Sequence, residues 1–192
     1  MEAPAFGYTN VITVCVAAAG APPTQLESFD AIGVWTPIVP TNISIESVNQ
    51  IEGAGAFALT SNPFGGAPGG VTVSGGISGL GAPPWNLSFF TFLQIYLVKE
   101  FDPGEGSPLD FFDITLKDAF AASATVSTPV PGINRQPGPH VISSGDFQPI
   151  QIPTAGFGGI DLTVITEISL KIIDINAGVP LGAWFDNMEG VP

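Results

Sequence analysis

Apolar and polar positions alternate in short runs along most of the chain, and Gly or Pro closes nearly every run. The longest unbroken stretch is Trp85 to Glu100. It is rich in aromatic and β-branched residues, which fit a pleated surface, and it carries no helix cap. One parity holds Leu87, Phe89, Leu93, Ile95 and Leu97, and the other holds Phe90, Phe92, Tyr96 and Val98. With both faces largely apolar, the pattern predicts a central strand covered on both sides.

Shorter runs predict further strands around it. Tyr8 to Ala19 reads as an apolar N-terminal strand, separated from the rest by the hinge Gly20-Ala-Pro-Pro. Ile43 to Val48 alternates, Ala54 to Ser61 is a strand of small residues, and a short strand surrounds Val71. Phe112, Ile114 and Leu116 are expected to face inward, with Asp113, Thr115 and Lys117 outward. Residues 127 to 140 look like a Pro- and Gly-rich excursion. Pro149 interrupts Phe147 to Ile152, which predicts an edge or a bulge. Ile168, Leu170 and Ile172 share a face, and Ala183 to Glu189 closes the series. Asp118 to Ala124 is the best helical candidate, and it is short. The pattern predicts an all-β antiparallel sandwich of about eight to ten strands. It divides into an N-terminal strand or arm with a Pro-rich hinge (1–25) and a sandwich domain (26–192).

Composition narrows the function. Four Lys and Arg stand against 17 Asp and Glu in 192 residues, a formal charge of −13. So few cations disfavour nucleic acid and anionic membranes as partners, and no stretch reads as a membrane-spanning helix. The start of the chain lacks the basic segment of a signal peptide, with Glu2, Pro4 and Gly7 in its place, so it reads as a mature strand. Charged residues make up 11% against 45% apolar, so Ser, Thr, Asn, Gly and Pro must furnish much of the surface. Such a surface suits contact with neighbours in an assembly. The one cysteine, Cys15, forbids an internal disulfide and a cysteine zinc cage. The one histidine, His140, leaves no evident nucleophile pair, and no Gly-x-Ser-x-Gly elbow or phosphate loop occurs. The sequence therefore predicts a protein that is not an enzyme.

The order of features resembles that of galactose-binding-like jelly rolls, which include many carbohydrate-binding modules. The resemblance rests on Leu26-Glu-Ser-Phe-Asp followed by Trp35, then Glu52-Gly-Ala-Gly-Ala-Phe-Ala-Leu-Thr-Ser. It continues through Pro108-Leu-Asp-Phe-Phe-Asp-Ile-Thr-Leu-Lys-Asp to Trp184-Phe-Asp-Asn-Met. It implies a jelly-roll sandwich over roughly residues 26 to 190. It also implies calcium bridging the first and last strands, with Glu27, Asp30 and Asp186 as the matching acids.

Sugar binding needs aromatic platforms and planar polar groups. Trp35 and Trp85 are the candidate glycan platforms, beside Tyr96 and Trp184; each sits within or beside an apolar strand and so reads first as a core residue, while Gln94 and Asn86 form no cluster visible in the sequence. Two functions fit. The first is a non-catalytic structural subunit on a virion or filament, of the phage decoration or fibre kind, forming homo-oligomers by exchange of the N-terminal strand. The second is a carbohydrate-binding module of a secreted protein or extracellular filament, with glycans as partners.

Overall fold

The computed structural model describes residues 21–38, 42–46, 51, 53–60, 69–101, 110–130, 133–134, 146–173 and 182–192. The strand predicted over Tyr8 to Ala19, its role in assembly, Cys15 and His140 lie outside them. Twelve strands form among the described residues: β1 (Thr24–Glu27), β2 (Thr36–Ile38), β3 (Asn42–Glu46), β4 (Ala56–Thr60), β5 (Gly69–Val73), β6 (Phe92–Phe101), β7 (Asp110–Asp118), β8 (Ser123–Val130), β9 (Ile133–Asn134), β10 (Gln148–Pro153), β11 (Ile165–Ile173) and β12 (Gly182–Val191). They make an all-β sandwich. One sheet has seven strands in the order β10-β6-β12-β4-β3, with β1 added to β12 and β9 running parallel to β6. The other has five antiparallel strands in the order β2-β5-β11-β7-β8.

Period-two alternation decides what lies between the sheets. Leu93, Ile95 and Leu97 of β6 join Phe57 of β4 and Phe185 and Met188 of β12 in one buried cluster. Phe112, Ile114 and Leu116 of β7 and Ile168, Leu170 and Ile172 of β11 complete it from the facing sheet, as the alternation predicts. Aromatic rings occupy its centre. Phe29 lies 4.9 Å from Phe57 and 5.4 Å from Trp35 between centroids, and Phe112 lies 5.5 Å from Phe185. These tilted arrangements suit ring quadrupoles.

Three local expectations are corrected. The stretch from Trp85 is not one strand, because Asn86 breaks it: its Oδ1 accepts from Ser88 N at 3.1 Å and Ser88 Oγ at 2.7 Å. This Asx turn interrupts the strand before β6 begins at Phe92, and it leaves Phe89 74% exposed although Leu87 and Leu93 on either side are both in the core. Asp118 to Ala124 is a hairpin turn, not a helix. The Asp118 carboxylate accepts from Phe120 N, Ala122 N and Asp161 N at 2.9–3.0 Å, in direct competition with a helical ladder. Residues 123–130, half of which read as an excursion, are the edge strand β8, whose inward positions are the small residues Ala124, Val126 and Thr128.

Prolines stand on the outer strands. Pro37 lies in β2, Pro129 in β8, and Pro149 and Pro153 in β10, as predicted for an edge.

Candidate binding face

The outer face of the seven-stranded sheet carries the side chains that alternate with the core. Register sets Gln151 of β10 beside Gln94 of β6, Gln94 beside Glu189 of β12, and Glu189 beside Gln25 of β1. The four side chains form a row across the strands. A bulge adds one more: β12 pairs Asp186 with Tyr96 and Met188 with Ile95, so Asn187 is the extra residue. Asn187 has φ 41°, a left-handed value that Asn tolerates, and the bulge turns its amide toward the row.

The row is hydrogen-bonded along its length. Gln151 Nε2 donates to Gln94 Oε1 at 2.7 Å, and Gln94 Nε2 donates to Glu189 Oε2 at 2.9 Å. Asn187 Nδ2 donates to Glu189 Oε1 at 2.9 Å, and Gln25 Nε2 donates to Asn187 Oδ1 at 3.3 Å. Gln94, only 8% exposed, also donates to Tyr96 Oη at 3.2 Å. Burying so polar a side chain is tolerable because both ends of its amide are satisfied.

Beside the row, on the same side of the sheet, lies an apolar cluster. Ala56, Ala58, Val98, Phe147 and Trp184 form a small buried cluster, with Tyr96 packed at its border. Tyr96 thus joins that buried cluster to the polar row, with its ring half-buried and its hydroxyl at Gln94. Burial raises the Tyr96 pKa, as does the negative charge of Glu189, against the opposing Gln94 hydrogen bond, so the phenol stays protonated. Lys117 and Lys171 sit on the five-stranded sheet.

The predicted platforms lie elsewhere. Trp35 is 4% exposed, packs on Phe29 and Phe57, and donates its indole N–H to Glu27 Oε2 at 3.2 Å. Trp85 is 2% exposed and donates to the Gly81 carbonyl at 2.9 Å. Neither indole offers a face to a sugar. Asn86 is occupied by its own turn.

The acids matched to calcium are not gathered as a set; among the described residues no three His, Cys, Asp or Glu side chains group to hold a metal ion. Glu27 is committed to neutral donors: the amides of Ser28, Phe29 and Ser78, the Ser78 hydroxyl at 2.8 Å, and the Trp35 indole. Asp30 and Asp186 do meet at one loop. Asp30 Oδ1 accepts from Ala54 N and from Gly55 N, the latter at 2.9 Å, and Asp186 Oδ2 accepts from Ile51 N. Gly53, at φ 70°, lets the loop pass close, since a Cβ there would collide with the Asp30 carboxylate. A cleft of about 390 Å³ runs beside Glu27, Asp30, Val34, Trp35 and Ser78.

No protein-family model matches the sequence, and no curated protein matches it. Solved structures do match in fold, among them carbohydrate-binding modules and an exo-β-agarase. A family 11 carbohydrate-binding module from Clostridium thermocellum, solved with a β-1,3-1,4-mixed-linked tetrasaccharide, is 16% identical with a TM-score of 0.56. The match covers 91% of this chain and 97% of that one. An exo-β-agarase matches at 17% identity and TM-score 0.58 over 88% of this chain, which spans 25% of the agarase. A structure from work on promiscuous carbohydrate-binding modules of the β-sandwich superfamily matches at 10% identity and TM-score 0.53, covering 91% of this chain and 64% of that one. The fold is therefore that of a carbohydrate-binding-module-like jelly roll.

Proposed function

We propose that this domain is a non-catalytic carbohydrate-binding module that acts outside the cell on a polysaccharide, by way of the outer face of its seven-stranded sheet. The observation that carries this reading is the polar row, exposed at Gln25 and Gln151, set beside the half-buried ring of Tyr96. A sugar ring has an apolar C–H face and a rim of hydroxyls, and it needs both kinds of surface side by side. The fold likeness supports the module over the virion subunit, the other function open from the sequence. The described residues add no support for that subunit or for strand-exchanged oligomers.

Calcium belongs to the same proposal in a reduced form. Of the three matched acids, Asp30 and Asp186 reach the same loop, at Ala54 and Gly55 and at Ile51, and are the ones that would hold it. Carboxylates are hard oxygen donors of the kind calcium takes, and the ion would tie β12 to the segment that follows β1.

The test is electrophoresis through native gels containing mixed-linkage β-glucan, xylan or agarose. The expected result is retardation by at least one polymer, lost in Gln94→Ala. Unretarded migration in all of them, with the protein folded, would falsify the reading.

A further inference from the structure

The row has a direction, and one residue sets it. Amides can present either end to a neighbour, but an ionised carboxylate only accepts. Glu189 is the carboxylate of the row, bonded to amide nitrogens on both sides. Gln94 must therefore turn Nε2 toward Glu189, which leaves Oε1 for Gln151. Gln151 must answer with its own Nε2, so its Oε1 points away from the row on an exposed side chain. On the other side Asn187 gives Nδ2 to Glu189 and is left to accept from Gln25. Tyr96 Oη already accepts from Gln94, so its own hydrogen is free to point away from that bond.

Resting on the glycan reading above, we propose that Glu189 is a positioning residue whose charge fixes the donor and acceptor pattern of this face, so that it selects uncharged, hydroxyl-bearing polysaccharides and rejects polyanionic ones. A hydroxyl both donates and accepts, so it can satisfy the Gln151 carbonyl and the Tyr96 O–H alike. A carboxylate or sulfate only accepts. It cannot satisfy Gln151 Oε1, and it meets the negative charge of Glu189 on a protein of net charge −13. No Lys or Arg side chain among those described stands on this face to offset that repulsion.

The experiment compares wild type, Glu189→Gln and Gln151→Ala in native gels containing neutral polymers (mixed-linkage β-glucan, xylan, agarose) or polyanions (alginate, carrageenan) at low salt. Glu189→Gln keeps the shape of the side chain and removes the fixed direction. The expected result is retardation of wild type by a neutral polymer and by neither polyanion. Glu189→Gln should bind the neutral polymer about tenfold more weakly and narrow the gap between the two classes. A ligand-free readout accompanies it: the phenolate absorbance of Tyr96, one of two tyrosines, should appear at lower pH in Glu189→Gln. If Glu189→Gln does not fold, Gln151→Ala at the exposed end removes the outward acceptor and should weaken neutral binding about fivefold. Wild-type binding to a polyanion overturns the selectivity while leaving the glycan reading intact. Unchanged neutral binding in Glu189→Gln, or in Gln151→Ala where only that variant folds, overturns the positioning role. Failure to bind any polymer overturns the glycan reading itself, and the proposal with it.

Discussion

Gln94 and Glu189, 95 residues apart in the chain, are directly opposed on β6 and β12 and joined by a 2.9 Å hydrogen bond. That bond ties two strands from opposite halves of the sequence into one polar surface.

Tyr96 borders both halves of the face, so its two parts can be separated. Tyr96→Phe keeps the ring and removes the hydroxyl, and should weaken binding of a neutral glycan about five- to tenfold. Tyr96→Ala should weaken it further. Titration calorimetry with the polymer that retards the protein makes the comparison, and equal affinities for all three proteins would remove Tyr96 from the site.

Asn187→Gly isolates the bulge from the row. Gly accepts φ 41° without steric penalty, so the bulge should persist and the melting temperature should fall by only a few degrees. The amide that links Glu189 to Gln25 is gone, so glycan affinity should drop while the far-ultraviolet circular dichroism spectrum stays unchanged.

Asp118 makes stability depend on acid. The amide of Asp161, with those of Ala122 and Phe120, holds its carboxyl below the ordinary carboxylate pKa, against the opposing effect of burial. A folded pKa below the unfolded one gives stability that is present above the usual carboxylate pKa of about 4 and is lost as pH falls through the folded value. Asp118→Asn should therefore melt well below wild type at pH 7, with the gap closing at the acid end of that window. A gap independent of pH would show that the charge is not what matters.

Calcium, if held by Asp30 and Asp186, raises the melting temperature by mass action. Adding calcium to chelated protein should produce that rise in wild type and not in Asp30→Asn. No shift in wild type would retire the ion.

Phe185 lies at the centre of the aromatic core, between Phe112 and Phe29. Phe185→Ala should cost about 3–5 kcal/mol of unfolding free energy, read from the urea midpoint. A loss under about 1 kcal/mol would mean that the core collapses around the gap.

The sandwich was legible because alternation depends on local sequence alone. Phe112, Ile114 and Leu116, and likewise Ile168, Leu170 and Ile172, declare their inward face by spacing. The edge position of β10 was legible for a similar reason, since Pro149 cannot donate to a ladder on both sides. The site was far less so. Gln94 and Tyr96 could be named, but Gln151, Glu189, Asn187 and Gln25 could not. Three of the four pairs that make the row are separated by 57, 95 and 162 residues, and only strand order and register bring them together. Asn187 needed more still, because it faces the row through a bulge. Trp35 and Trp85 left both readings open for the opposite reason: a large aromatic beside an apolar run reads alike whether its indole N–H meets solvent or a buried acceptor, and here Glu27 and Gly81 provide the acceptors.

The prolines on the outer strands bear on how this protein behaves in a crowd. An unpaired strand edge recruits another chain through its amide hydrogens, and in a protein 45% apolar the net charge of −13 opposes that only at a distance, so the edges themselves need blunting. Pro149 and Pro153 in β10, Pro129 in β8 and Pro37 in β2 each remove one such hydrogen from a margin where a newcomer would dock. If the domain binds a polysaccharide as proposed, copies crowded along one polymer would meet at margins that each lack a docking hydrogen.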